Sequence, residues 1–208
     1  MALMPDDMTD VPARFHALID ALTRLGSPVG RYLRPGRPPD EVNDALGSVQ
    51  LAPPPDLTDW FGLQDGPDDD GLQLADPGAS PLEVFPGVRL LTLDQAVDQC
   101  LDMRRLAEEL EEEAEEYWHP DWFPIAYGPG SMFAVQCPAV PANDPTVVWR
   151  FISHPGKSET GAVAETLAEL VDRWAAEIRA GNVYWHAGYR SLEPCDGEAL
   201  RLEAEGLY

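Results

Sequence analysis

Between residues 122 and 153, three β-prone runs follow one another with little but turn residues between them, and helical patterns bracket the set. Trp122-Phe123-Pro124-Ile125-Ala126-Tyr127 leads through Gly128-Pro129-Gly130 into Ser131–Cys137. Two such runs around a three-residue glycine turn predict a hairpin. Thr146–Ser153 adds a third run, in which Val147, Val148, Trp149, Phe151 and Ile152 suit a pleated, half-buried surface. Strands that succeed one another through turns imply an antiparallel sheet with helices packed mainly on one side, an α+β architecture.

The helices are legible from spacing. Phe15, Leu18, Ile19, Leu22 and Leu25 recur at three- and four-residue steps, predicting a helix over 11–25 that Gly26, Ser27 and Pro28 end. A Pro/Gly/Arg-rich link over 31–40 follows, and its arginines Arg31, Arg34 and Arg37 are expected to pair with acidic neighbours as a surface strap. Leu57, Trp60 and Phe61 share one face of a short helix, after which Asp65-Gly66 signals a turn. Val84-Phe85, Val88 and Leu90-Leu91 predict one or two short strands around Pro86-Gly87. Thr92-Leu93-Asp94-Gln95 is a capping box and starts the longest helix. Its apolar stripe is Leu93, Val97, Cys100, Ala107, Leu110, Ala114 and Tyr117, with a break near Arg104. It should stop before His119-Pro120. A last helix is expected over 161–180, with Val163, Leu167, Leu170, Val171, Trp174 and Ile178 facing the core and Gly181 as C-cap. The expected division is 1–39 as helix and link, 40–181 as the domain, and 182–208 as an acidic tail that either docks or stays loose.

Charge narrows the function. The 37 Asp and Glu residues face 14 Lys and Arg, a net charge of −23, and Lys157 is the single lysine. A direct nucleic-acid binder needs a basic footprint, and a helix for anionic membranes needs a basic face; both are excluded. A hydrophobic content of 44%, with six Trp, six Tyr and six Phe, argues against the disorder that such charge would otherwise imply. A chain of 208 residues has ample length for one buried core. No stretch approaches 18 uninterrupted apolar residues, and residues 1–10 carry acids with no apolar signal region. Cys100, Cys137 and Cys195 are odd in number and far apart, which favours reduced thiols and a cytoplasmic setting.

Catalytic patterns are missing. His16, His119, His154 and His186 fall in no metal-ligand spacing, and no G-x-S-x-G serine elbow occurs. Gly156-Lys157-Ser158 resembles the end of a phosphate loop, but the glycine needed five residues earlier is Phe151. Gly128-Pro129-Gly130 lacks the third glycine of a dinucleotide fingerprint. Asp68-Asp69-Asp70-Gly71 resembles a calcium loop, yet its last ligand position would be Pro77 where a glutamate is required. No cofactor, metal site or catalytic residue is expected. The acids instead offer candidate partner-binding surfaces: Asp68, Asp69 and Asp70 in one loop, and Glu109, Glu112, Glu113 and Glu116 on the long helix. A surface kept acidic steers a basic partner; a simply solvated helix explains the same run.

Three blocks taken together resemble the SUKH superfamily, the bacterial immunity proteins related to the fungal regulator of cell-wall synthesis. The first runs from Pro54-Pro55-Asp56-Leu57 through Trp60-Phe61 to Asp65-Gly66, with Asp65 where the family usually has asparagine and Ala52-Pro53 where it has Leu-Pro. The second is Phe85-Pro86-Gly87-Val88-Arg89-Leu90-Leu91-Thr92-Leu93-Asp94-Gln95-Ala96, and the third is Trp122-Phe123-Pro124-Ile125-Ala126 with its glycine turn. The resemblance spans about residues 40 to 180; the first helix, the long acidic helix and the tail depart from it. It implies a single α+β domain with a bent, mainly antiparallel sheet flanked by helices. It also implies a non-catalytic role: binding and neutralising a cognate toxin, here a basic one acting on nucleic acid. Trp60, Asp65, Gly66, Trp122 and Pro124 match motif positions with a structural role. A regulatory scaffold of the same fold is the alternative within the binding class, and an enzyme of unknown type is the remote one.

Overall fold

The stripe Phe15, Leu18 and Leu22 becomes the buried face of α1 (Val11–Leu25) in the computed structural model, which describes residues 10–75, 82–109, 118–128, 130–137, 147–154 and 157–207. The Asp10 carboxylate accepts from the Ala13 amide at 2.8 Å, and Gly26 closes the helix in the left-handed conformation at φ 93°. The 31–40 link carries more structure than the sequence reading gave it. A 3-10 turn (Val29–Arg31), strand β1 (Leu33–Pro35) and the start of α2 (Pro39–Ser48) occupy it. Proline at the first position of α2, followed by Asp40 and Glu41, suits the positive end of a helix. Next comes α3 (Pro55–Leu63), which buries Leu57, Trp60 and Phe61 as its spacing predicts. The Trp60 ring meets Phe15 edge-on at 5.2 Å, joining α3 to α1. Such a pair contributes about 0.5–1.5 kcal/mol beyond its buried area.

Two expectations are corrected here. Asp65-Gly66 is not a free turn but lies inside β2 (Gln64–Pro67), which pairs antiparallel with β1. Asp68–Asp70 is not a solvated loop; α4 (Asp69–Ala75) begins there, and the Asp68 carboxylate accepts from the Gly71 amide at 3.2 Å. After the Phe85–Val88 bridge comes β3 (Arg89–Leu90) and then α5, described over Leu93–Glu109. The capping box forms: the Thr92 amide donates to Gln95 Oε1 at 3.0 Å, and the Gln95 amide donates to Thr92 Oγ1 at 3.1 Å.

The main sheet is antiparallel throughout, in the order β3, β4 (Trp122–Gly128), β5 (Ser131–Gln136), β6 (Val148–His154) and β7 (Lys157–Ala164). The expected hairpin is β4–β5. Pro124 is tolerated in β4 because it pairs with Ala134 next to a bulge at Ile125, beyond the reach of two-residue β3. Strand β7 overturns the expected helix start at Gly161. The last long helix, α6 (Leu167–Ala180), starts at Thr166, whose hydroxyl accepts from the Glu169 amide at 3.0 Å, and ends at Gly181 as predicted.

Period-two alternation on β5 assigns the two faces of the sheet. Phe133 and Val135 enter the larger core, where Trp174 of α6 packs edge-on to Phe133 at 5.4 Å and stacks on Phe85 at 6.1 Å. Met132 and Ala134 enter a smaller cluster with Met103, Ala107, Trp118 and Trp122. Helix α5 therefore serves both, with Ala96 and Cys100 in the first and Met103 and Ala107 in the second. Helix α1 packs on α6. The stretch after Gly181 docks: the hairpin β8 (Val183–His186) and β9 (Ser191–Pro194) and helix α7 (Ala199–Ala204) bury Val183, Leu192 and Leu202 in the larger core, and Leu207 beyond α7 joins them.

Candidate functional site

The residues singled out in sequence fall into three places. The first is a joint around Asp65 and Gly66. Asp65 is buried, and its two oxygens serve two elements: Oδ1 accepts from the Leu93 amide at 2.7 Å, and Oδ2 accepts from Arg37 Nε at 2.7 Å. It therefore satisfies an orphan donor at the start of α5 and anchors the arginine link. Arg37 also reaches Glu41 at 3.2 Å and Asp94 at 3.0 Å. The hydrogen bond to Asp65 leads in raising the guanidinium above its ordinary value. An asparagine here would have one acceptor for two donors, the Leu93 amide and Arg37 Nε. Arg37 therefore accounts for the carboxylate. Gly66 sits at φ 70°, and a Cβ there would lie 2.8 Å from the Thr92 nitrogen. Trp60 and Trp122 are buried, one in each cluster. These motif residues position β2, α5 and β4; they do not converge on an open surface.

The second place is the aspartate group. Asp68 lies 3.8 Å from Arg34, and Asp69 pairs with Arg89, which donates to Tyr127 Oη at 2.9 Å. Arg34 and Arg37 do pair with acids as the strap reading expects. Those pairings neutralise part of the surface that Asp68 and Asp69 would offer a partner. Asp70 is exposed and forms no ion pair among the described residues.

The third place is the outer side of α5. Glu109 is exposed; Glu112, Glu113 and Glu116 lie outside the described residues. Asp98, Glu108 and Glu109 form no ion pair among the described residues, whereas Asp102 bonds Arg105 at 2.9 Å. Val97, Leu101, Arg104 and Glu108 recur at steps of four and three, so they share one edge of the helix. Leu101 is 50% exposed on that edge.

That edge ends at a recess of about 400 Å³ between α5, the end of α2 and residues 118–121. Its apolar walls are Leu51, Ala107, Trp118 and Pro120, and its polar groups are Gln50, Arg104, Glu108 and Asp121. Gln50 holds the left-handed conformation at φ 60°, where a helix C-terminus usually places glycine; this lets the Leu51 amide return to the Leu46 carbonyl at 2.9 Å. Arg104 donates to the carbonyls of Val49 at 2.6 Å and Pro120 at 2.5 Å. Its Nε–H is buried without a hydrogen-bond partner, and no carboxylate among the described residues pairs with it. Sequence reasoning missed this recess, although the break in the α5 stripe at Arg104 was its one local signal.

A second arginine centre lies at the tail. Arg201 of α7 bonds Glu198 at 2.6 Å, Glu205 at 2.9 Å and Glu177 of α6. The bond to Arg201 leads in holding the Glu177 carboxyl below its usual range. Burial pushes the thiols of Cys100 and Cys137 up, which keeps both protonated. Among the described residues no three His, Cys, Asp or Glu side chains gather as a metal site, and no helix is long and apolar enough to cross a membrane. No protein-family model matches the chain, and no curated protein matches it.

Proposed function

We propose that this chain is a non-catalytic binding protein, most concretely a SUKH-like immunity protein that neutralises a basic toxin by direct contact. The observation that carries the reading is the contrast between its acidic surfaces. The aspartates at 68 and 69 are paired with the protein's own arginines, whereas Asp98, Glu108 and Glu109 on α5 lack a described cationic partner and flank the exposed Leu101. Unneutralised carboxylates around an exposed leucine match the polar rim and apolar centre of a protein interface. Acidic residues on that scale accelerate encounter with a basic protein by roughly 10–10³-fold, and salt removes the gain. A nucleic-acid-acting toxin carries a basic cleft, so an acidic helix that occupies it excludes the nucleic acid.

The test is co-expression with the protein encoded by the adjacent open reading frame. The reading expects a soluble complex, rescue of growth, and weakened binding when Glu108 and Glu109 are both changed to lysine. No complex and no rescue would remove it. A complex whose affinity is indifferent to both charge reversal and salt would move the interface elsewhere.

A further inference from the structure

The β8–β9 hairpin carries aromatic side chains that the core does not use. Strand alternation turns Val183, Trp185 and Leu192 inward, where Val183 and Leu192 join the larger core and Trp185 packs against it. The outward face has Tyr184 opposite Glu193 and His186 opposite Ser191. Polar side chains would suffice for a face in water, yet here the rings form a continuous row. His186 lies 6.2 Å from Tyr184 and stacks on Tyr189 at 4.4 Å. The Tyr189 amide donates to His186 Nδ1 at 3.0 Å, which holds the turn over the imidazole. Tyr184 is 39% exposed and Tyr189 70%. The hairpin is braced from behind, because the Leu192 amide donates to the Glu83 carboxylate at 3.1 Å and Trp185 lies beside Gly26 at the end of α1. Adjacent exposed rings on a braced scaffold mark an interaction surface.

Charge along the row decides what it binds. At one end Glu193 accepts from Tyr184 Oη at 2.8 Å and from Ser191 Oγ at 3.1 Å, and it forms no ion pair among the described residues. Each of its oxygens keeps a lone pair for a further donor. Asp196 adds a second negative charge beside Tyr184. Arg190 stands at the opposite end, past Tyr189. The Tyr184 end therefore repels an anion and attracts a cation, both through the carboxylates and through the negative face of the ring. A guanidinium suits it best, since its plane lies flat on a ring while its edge bonds a carboxylate. We propose that the outward face of this hairpin binds an arginine side chain of a basic protein partner, with the guanidinium on the Tyr184 ring beside Glu193. The inference rests on the reading of the chain as a binder of a basic protein and adds a contact surface on a different element from α5.

The experiment titrates the isotopically labelled full chain with the peptide acetyl-Gly-Gly-Arg-Gly-Gly-amide at low salt and follows the ring and amide signals of Tyr184, His186, Tyr189 and Glu193. The expected result is saturable shifts at those groups that added salt diminishes. The citrulline peptide keeps the plane and loses the charge, and it should bind roughly 3–10-fold more weakly. Tyr184→Ala should weaken the arginine peptide about 2–5-fold, whereas Tyr184→Phe, which keeps the ring face, should retain most of the binding. Glu193→Gln should cost a factor similar to Tyr184→Ala. Unshifted signals of Val183 and Leu192 report that each variant keeps its inward face packed. Shifts that are absent from the hairpin or scattered over the acidic surface, equal binding of the citrulline peptide, or indifference to both Tyr184→Ala and Glu193→Gln would overturn the proposal. Preference for acetyl-Gly-Pro-Pro-Pro-Gly-amide would overturn it too, and would assign the rings to an uncharged extended segment. Localised arginine binding without rescue by co-expression would keep the hairpin site and remove the immunity reading. Rescue without hairpin shifts would keep that reading and remove the site.

Discussion

Arg37 and Arg201 each collect three carboxylates, yet they do different things for the fold. Two of the partners of Arg37 are distant in sequence, Asp65 on β2 and Asp94 on α5, and the third, Glu41 on α2, is a local pair four residues away. One of them, Asp65, is buried and also receives the first amide of α5. Two of the partners of Arg201, Glu198 and Glu205, flank its own short helix, and only Glu177 belongs to another element. Local pairs at three- and four-residue spacing contribute a few tenths of a kcal/mol. A buried carboxylate shared by a distant arginine and a helix terminus is a joint, because removing it leaves two donors without an acceptor. The same arrangement of charges thus acts as a hinge-pin in one place and as surface trim in the other.

The largest test of that difference is Asp65→Ala, which is expected to lower stability by about 3 kcal/mol in urea unfolding, since it breaks a buried pair and a helix cap together. A loss under about 1 kcal/mol would place the two centres on the same footing. Gly66→Ala should lower stability by about 2 kcal/mol, because the left-handed backbone and the close Thr92 nitrogen leave no room for a Cβ. Asp65→Asn retains an acceptor for Leu93 and forfeits the charge on Arg37; about 1–2 kcal/mol is expected.

At the other centre, Arg201→Met should move the urea midpoint less than any of these changes. Its signature is a pH dependence. The folded Glu177 carboxyl lies below its ordinary value of 4.5, so its contribution is complete above 4.5 and is lost as pH falls through the lowered value. Parent and variant stabilities should therefore converge in acid and separate near neutrality, and parallel curves would contradict the assignment. Glu83 offers the smallest effect and the opposite sign. Its carboxyl, which accepts from the Leu192 amide at 3.1 Å, is pushed up by burial. Stability from this group therefore declines as pH rises from 4.5 through the raised value, and Glu83→Gln should raise the midpoint slightly at pH 7.

What was legible in the sequence is what is local. The Thr92–Gln95 box, the Gly26 and Gly181 caps, the β4–β5 hairpin and the Leu57-Trp60-Phe61 face all follow from residues within a few positions of one another. Helix α2 was missed although Pro39, Asp40 and Glu41 are sound start signals, because its apolar content is thin: Val42 and Leu46 are its buried residues. The end of strand β7, from Gly161 to Ala164, was read as the start of the last helix because Val163 falls in step with the apolar stripe of Leu167, Leu170 and Trp174; the strand itself is mostly small and polar, a pattern suited to the edge position it holds. The short β1–β2 ribbon and the arginine partners of Asp65, Asp68 and Asp69 depend on approach between distant segments, which no window reveals. The recess is of the same kind, since Gln50, Arg104 and Asp121 meet only after α2 and β4 settle against α5.

The packing of α1 on α6 has a consequence for synthesis. Val11, Phe15, Leu18 and Leu22 are synthesised about 140 residues before α6, the helix that packs most extensively on α1. At typical elongation rates that interval is on the order of 10–30 s. Throughout it α1 can gain only part of its cover, from α3 through the Phe15–Trp60 contact, so the rest of its apolar stripe stays open to a chaperone or to aggregation.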